Sequence, residues 1–181
     1  MLTNSTTRYG SVSRTLHWLA AALIITLVIV GLYMSGLDDN DPNRLGIYSL
    51  HKSFGILVAL LLVARVLWLG LSPAPALPSV FSTTERRLTK GLQSLLYLLM
   101  ALVPVGGYVM SMAGGHPVSF FGLFDLPVLL EKNKAVGGFA HEGHELMAFA
   151  IIALVLIHVA GALKHRFMNP GGEADVLKRM L

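Results

Sequence analysis

Four apolar stretches, approximately Arg14–Gly36, Ile47–Gly70, Leu88–Met112 and Glu145–Arg166, are each long enough to cross a lipid bilayer, and they constrain this chain more than any other feature. About 20 residues at a helical rise of about 1.5 Å span a hydrocarbon core of roughly 30 Å. With 181 residues, 54% apolar side chains, 13% charged ones and a mean hydropathy of +0.66, the chain exceeds ordinary globular hydrophobicity. The expected fold is all-α: an integral membrane four-helix transmembrane bundle, one membrane domain over residues 1–181.

The first stretch follows Arg8 and Arg14, but its apolar run from Leu16 to Leu37 exceeds the ~7–15 residues of a secretory signal core, so it is expected to be retained. Charge then orients the bundle. The N-terminus, second connection and C-terminus hold Arg8, Arg14, Arg65, Arg86, Arg87, Lys90, Lys164, Arg166, Lys178 and Arg179, ten of the fourteen basic residues. The other side keeps Arg44, Lys52, Lys132 and Lys134. The positive-inside rule therefore places both termini in the cytoplasm. The net charge of +4 reflects this bias and carries no nucleic-acid signature. The absence of cysteine removes disulfides, iron–sulfur clusters and covalently attached c-type haem.

The connections carry ordinary turn chemistry. The first contains Asp38-Asp39-Asn40-Asp41-Pro42-Asn43. The second holds Pro73, Pro75 and Pro78 and then Ser82-Thr83-Thr84-Glu85, a cap for the third helix. That helix has Pro104, Gly106 and Gly107, signs of a kink or close packing, and neither histidine nor acid in its apolar stretch, so it is expected to wall the bundle. The long third connection, Ala113 to His144, carries Phe120, Phe121 and Phe124 and is expected to fold over the outer end. Asn169-Pro170-Gly171-Gly172 ends the fourth helix before a short polar tail.

Chemistry lies in four histidines, His17, His51, His144 and His158, because ionisable groups in a membrane segment default to function. Helix one enters from the inner side, putting His17 at the inner level. Helix two enters from outside, putting His51 at the outer level. Helix four also enters from outside, with His144 outermost and His158 fourteen residues on, which is the same helix face about 21 Å deeper. The levels match in pairs, His51 with His144 and His17 with His158. Two facing imidazoles suit the axial positions of a haem iron, so two pairs suggest two non-covalent b-type haems. Zinc wants four ligands, often with thiolates or carboxylates, and each level offers two imidazoles. Singly, each histidine is matched by a bland role: His17 beside Trp18 as an aromatic-belt neighbour, His51 beside Lys52 as a boundary residue. His141, one turn before His144, is the rival for outer ligation.

The chain resembles the bacterial cytochrome b561 family of small two-haem inner-membrane cytochromes. The matching residues are Arg14-Thr15-Leu16-His17-Trp18-Leu19, Leu50-His51-Lys52-Ser53-Phe54-Gly55 with Arg65 beyond, and His144-Glu145 followed by His158 and His165. The resemblance covers nearly the whole chain. It implies four helices, haem ligation by these four histidines, quinone chemistry with ubiquinone as a substrate, and a multi-pass location in the bacterial inner membrane. Some members are similar to superoxide oxidases that pass electrons to ubiquinone.

Two residues are candidates for quinone or haem-propionate contacts. Arg65, fourteen residues after His51, falls on its helix face at the inner level and equally suits a snorkelling boundary arginine. His165, seven residues past His158, suits proton exchange with quinone or a flanking cation. Lys52 and His141 are candidate outer-side contacts; Gly55 suits close packing, and His116 reads as loop. The leading expectation is electron transfer across the membrane between a periplasmic donor, superoxide among the candidates, and the quinone pool. The alternative is a cytochrome b subunit relaying electrons for a partner dehydrogenase or hydrogenase. Against superoxide, the outer side holds Asp38, Asp39, Asp41, Asp125, Glu131, Glu142 and Glu145, a field that repels anions unless Lys52, Lys132 and Lys134 focus locally. A transporter would call for broken helices or repeats, and neither is evident.

Overall fold

The computed structural model describes residues 1–181. Four helices, α1 (Ser11–Ser35), α2 (Arg44–Leu71), α3 (Thr83–Ala113) and α4 (Lys134–Met168), are each long and apolar enough to cross a membrane, and a short 3₁₀ turn, Leu177–Arg179, follows. The molecule is a four-helix transmembrane bundle.

The helices outrun the apolar stretches because their polar ends are capped. Helix α3 starts at Thr83, where the Ser82 hydroxyl accepts from the Glu85 N–H at 3.2 Å and the Glu85 carboxylate accepts from the Ser82 N–H at 2.9 Å. Such a cap contributes about 1 kcal/mol. Helix α4 begins at Lys134, eleven residues before the apolar stretch, because Asn133 accepts from the N–H groups of Ala135 and Val136, both at 3.1 Å. The Asn133 N–H in turn donates to the carbonyl of Ala113, the last residue of α3, at 2.9 Å. His141 and His144 are therefore both within a helix.

Close packing joins α1 to α2, α2 to α3 and α3 to α4; α1–α4 and α2–α4 are not among the extensively contacting pairs. Outward faces expose Ile25, Ile29, Leu60, Leu67, Leu98 and Leu156, the apolar surface that lipid covers in a bundle of this kind. Much of the tight burial lies at the two ends, beneath the connections.

At one end the connection between α3 and α4 forms a two-stranded antiparallel ladder, β1 (Ser119–Phe120) with β2 (Phe124–Asp125). Its turn places Phe121 and Gly122 at positive φ, 52° and 72°. A non-glycine residue holds that backbone only when its surroundings compensate. Here the Phe121 N–H donates to the Ser53 hydroxyl at 3.0 Å and its ring meets Phe54 edge-on at 5.0 Å. Ser53, almost fully buried, also donates to the carbonyls of Ser49 and Ser119, so one hydroxyl on α2 seats the loop over this end of the bundle.

The opposite end is knit from three segments. Asn4 of the N-terminal segment bonds Ser72 and Pro73 of the second connection, the Tyr9 N–H donates to the Arg179 carbonyl, and Arg179 donates to Thr7 and Ala76. Gly10 is required here, since a Cβ would lie 2.3 Å from the Leu2 carbonyl. Both termini and the second connection thus share one end, and the polar tail is an ordered cap.

Asp175 pins that cap. It is 1% exposed and accepts from Arg166 at 2.6 Å and from the N–H groups of Gly171 and Lys178. Burial pushes its pKa up, but these three donors outweigh burial and leave it below the ordinary carboxylate value. A lowered folded-state pKa gives stability that is present above the unfolded pKa and lost as pH falls through the folded one. The tail is therefore expected to loosen only below about pH 4. Asp175→Asn should loosen it at neutral pH, raising tryptic cleavage at Lys178 and Arg179 roughly tenfold; unchanged cleavage would show that Asp175 is not the pin.

Candidate functional site

At the capped end His17 on α1 faces His158 on α4, with ring centroids 6.2 Å apart and planes at 66°. Trp18 meets His17 edge-on at 5.1 Å and donates from Nε1 to the Met180 carbonyl, tying this level to the C-terminal cap. Arg65 of α2 reaches in from the side. Its Nη1 lies 3.0 Å from His17 Nδ1, and its Nε donates to the Tyr97 hydroxyl of α3 at 2.6 Å. A guanidinium has no lone pair to offer, so His17 Nδ1 accepts.

At the looped end His51 on α2 faces His144 on α4, with centroids 6.5 Å apart and planes at 75°. His144 Nδ1 lies 2.9 Å from the Val103 carbonyl of α3. A carbonyl only accepts, so Nδ1 carries the proton and Nε2 keeps its lone pair for a metal. Gly107 makes this possible: a Cβ there would stand 3.1 Å from both Cε1 and Nδ1 of His144. His51 Nδ1 is the one buried side-chain polar atom without a hydrogen-bond partner.

The spacing within each pair can be tested against a metal. A metal–imidazole bond of about 2 Å, plus roughly 1.2 Å from nitrogen to ring centre, separates the centroids of two rings on opposite faces of one ion by about 6.4 Å. The observed 6.2 and 6.5 Å fit that requirement at both levels. Nowhere do three or more His, Cys, Asp or Glu side chains gather as a tetrahedral zinc site needs. The helices that carry facing histidines are not tightly packed on each other, so the imidazoles meet across the bundle interior. These features suit a flat macrocycle with an axial ligand on each face.

The other residues singled out from the sequence fall at the edges. His165 stacks on Phe81 with centroids 4.6 Å apart, two turns beyond His158. His141 is exposed, its Nδ1 3.2 Å from the Met110 sulfur, and does not join the His51–His144 pair. Lys52 donates to the Ser111 hydroxyl and the Pro117 carbonyl, bracing α2 against the end of α3. His116 is exposed in the loop. A Cβ on Gly55 would meet nothing within 4 Å. Sequence reasoning missed Tyr97, whose only signal is a phenol in an apolar helix, and saw Gly107 as packing without knowing what packs on it.

A helical membrane bundle with imidazole pairs at two depths has the make-up of a membrane b-type cytochrome. A family model described as prokaryotic cytochrome b561 matches residues 8–181. The chain is similar to cytochrome b561 homolog 2 of Escherichia coli (strain K12), 39% identical over 180 residues, covering 99% of this chain and 94% of the relative. It is also similar to a cytochrome b562 of Cereibacter sphaeroides, 30% identical over 165 residues and 88% of each chain. This chain belongs to the prokaryotic cytochrome b561 family, membrane cytochromes of electron transfer that bind b-type haem.

Proposed function

We propose that the chain is a di-haem cytochrome that carries electrons across the bacterial inner membrane between a donor at the looped, periplasmic end and a quinone, ubiquinone by preference, at the cytoplasmic end. The observation that supports it is the pair of imidazole separations, 6.2 Å for His17–His158 and 6.5 Å for His51–His144. Each haem, when bound, supplies a one-electron ferric/ferrous couple.

The protein's part is to hold and orient. His17 and His158 would ligate the inner haem and His51 and His144 the outer one, in each case through neutral nitrogen lone pairs. The Val103 carbonyl holds the His144 tautomer. Trp18 and the C-terminal cap cover the inner level. Ten of the fourteen basic residues lie at or near the end that carries the termini, which supports a cytoplasmic position for that end. There Arg65 and His165 are the groups for a quinone headgroup or haem propionate, with Phe81 stacked on His165 as an aromatic wall.

At the outer end Lys52 and His141 are the side chains offered to a donor. Lys52 bonds only neutral oxygens, so its charge is not cancelled by a carboxylate. Superoxide is a fitting donor in this arrangement: it gives one electron and leaves as dioxygen.

A pyridine haemochrome assay on the purified protein tests the proposal. Two haems per chain are expected, as two imidazole pairs require. A colourless protein, or one haem per chain after expression with ample porphyrin, overturns it.

A further inference from the structure

Resting on the di-haem reading, we propose that Arg65, positioned by Tyr97, sets the inner haem at the higher potential, so that electrons run from the outer level to the inner one. Arg65 is half-buried within a membrane-spanning helix. The chain's two ion pairs are Arg44–Asp39 and Arg166–Asp175, so no carboxylate side chain of the protein neutralises it. An uncompensated cation in such a segment defaults to function. A guanidinium stays charged at any working pH, and a fixed positive charge favours the state that has gained an electron.

The two levels differ in kind. At the inner one, His17 Nδ1 stands 3.0 Å from a cation, with no carbonyl beside it to raise the basicity of its ring. At the outer one, His144 donates from Nδ1 to the Val103 carbonyl, which makes the imidazole a stronger base and favours oxidised iron. The nearest outer cation on His51's own helix, Lys52, is turned to Ser111 and Pro117. Both asymmetries point inward. A transfer between the levels would move one electron and no proton, the outer group being oxidised as the inner one is reduced. The donor side supplies that electron and a quinone removes it.

Tyr97 is the positioning residue. Its hydroxyl accepts from Arg65 Nε at 2.6 Å, and the guanidinium carbon stands 5.5 Å from its ring centre. Were His17 to hold the inner haem through Nε2, its proton would sit on Nδ1 and the contact with Arg65 would no longer be a hydrogen bond. Tyr97 then keeps the charge at this level.

The test is a spectroelectrochemical titration of the haem-loaded protein, with haem per chain measured on the same sample. Two midpoints are expected in the parent. Arg65→Gln should lower the higher one by tenfold or more in reduction equilibrium, about 59 mV for a one-electron couple, and leave the lower one in place. Arg65→Lys should restore most of the difference. Repeating Arg65→Gln in a His144→Ala background, where the inner haem stands alone, assigns the shift to that level. Should Arg65→Gln fail to load haem, Tyr97→Phe carries the test, with a smaller shift in the same sense. Two haems per chain with unchanged midpoints, or a rise in the higher one, would overturn the proposal alone. Fewer than two haems in the parent would sink the di-haem reading and this inference together.

Discussion

Replacing His158 with alanine is expected to halve the bound haem, removing the inner group while the outer one stays. His17 would lose the only imidazole that faces it, at 6.2 Å. His165 cannot step in: it lies seven residues on, about 10.5 Å further along the helix, and is stacked on Phe81. The outer pair should persist, because His144 is anchored independently to the Val103 carbonyl and fits against Gly107. Loss of even an indirect support of a metal ligand typically costs 10–100-fold in affinity, and a direct ligand costs more. The measurement is haem per chain, together with the optical spectrum and quinone reduction by the reduced protein. Quinone reduction should fall to background, since the inner level is the exit on the proposed route. Retention of both haems would break the assigned pairing, and His165→Ala, with both haems kept, is the control.

Valine at Gly107 should produce the complementary defect, an outer haem that loads poorly. The added Cβ would stand 3.1 Å from two atoms of the His144 ring, and the branching methyls would press further. The imidazole would have to leave both its hydrogen bond to Val103 and its place opposite His51. A fall of about 10–100-fold in outer-haem affinity is expected, the range for lost support of a ligand. Haem retention during dilution or competition with apomyoglobin measures it. Gly91→Val is the matched control, since a Cβ there meets nothing within 4 Å. Equal retention in the two variants would show that α3 does not seat the ring.

Much of the site was legible because the membrane restricts what a polar residue can mean. An imidazole in an apolar helix is costly enough to be rare, and the helical rise converts sequence position into depth, so levels follow from order along the chain. That is why sequence order alone matches His144 with His51 and His158 with His17. The helix ends were less legible. Apolar content marks the part within lipid, whereas the end of a helix is decided by its caps, and Asn133 carries α4 well past Glu145. The tail was underestimated for a similar reason. Asp175 looks like any acid in a polar segment, and only the folded chain brings Arg166, Gly171 and Lys178 around it.

What the amino-acid sequence determined unaided is the bundle, the two depths and which histidines share them, because hydropathy and a fixed rise per residue are one-dimensional quantities. What the tertiary structure alone decided is which atoms touch. The order of residues says nothing of lateral neighbours on different helices, so the guanidinium beside His17, the phenol that holds it, the carbonyl that orients His144 and the glycine that makes room for it emerge only when α2 and α3 pack beside α1 and α4.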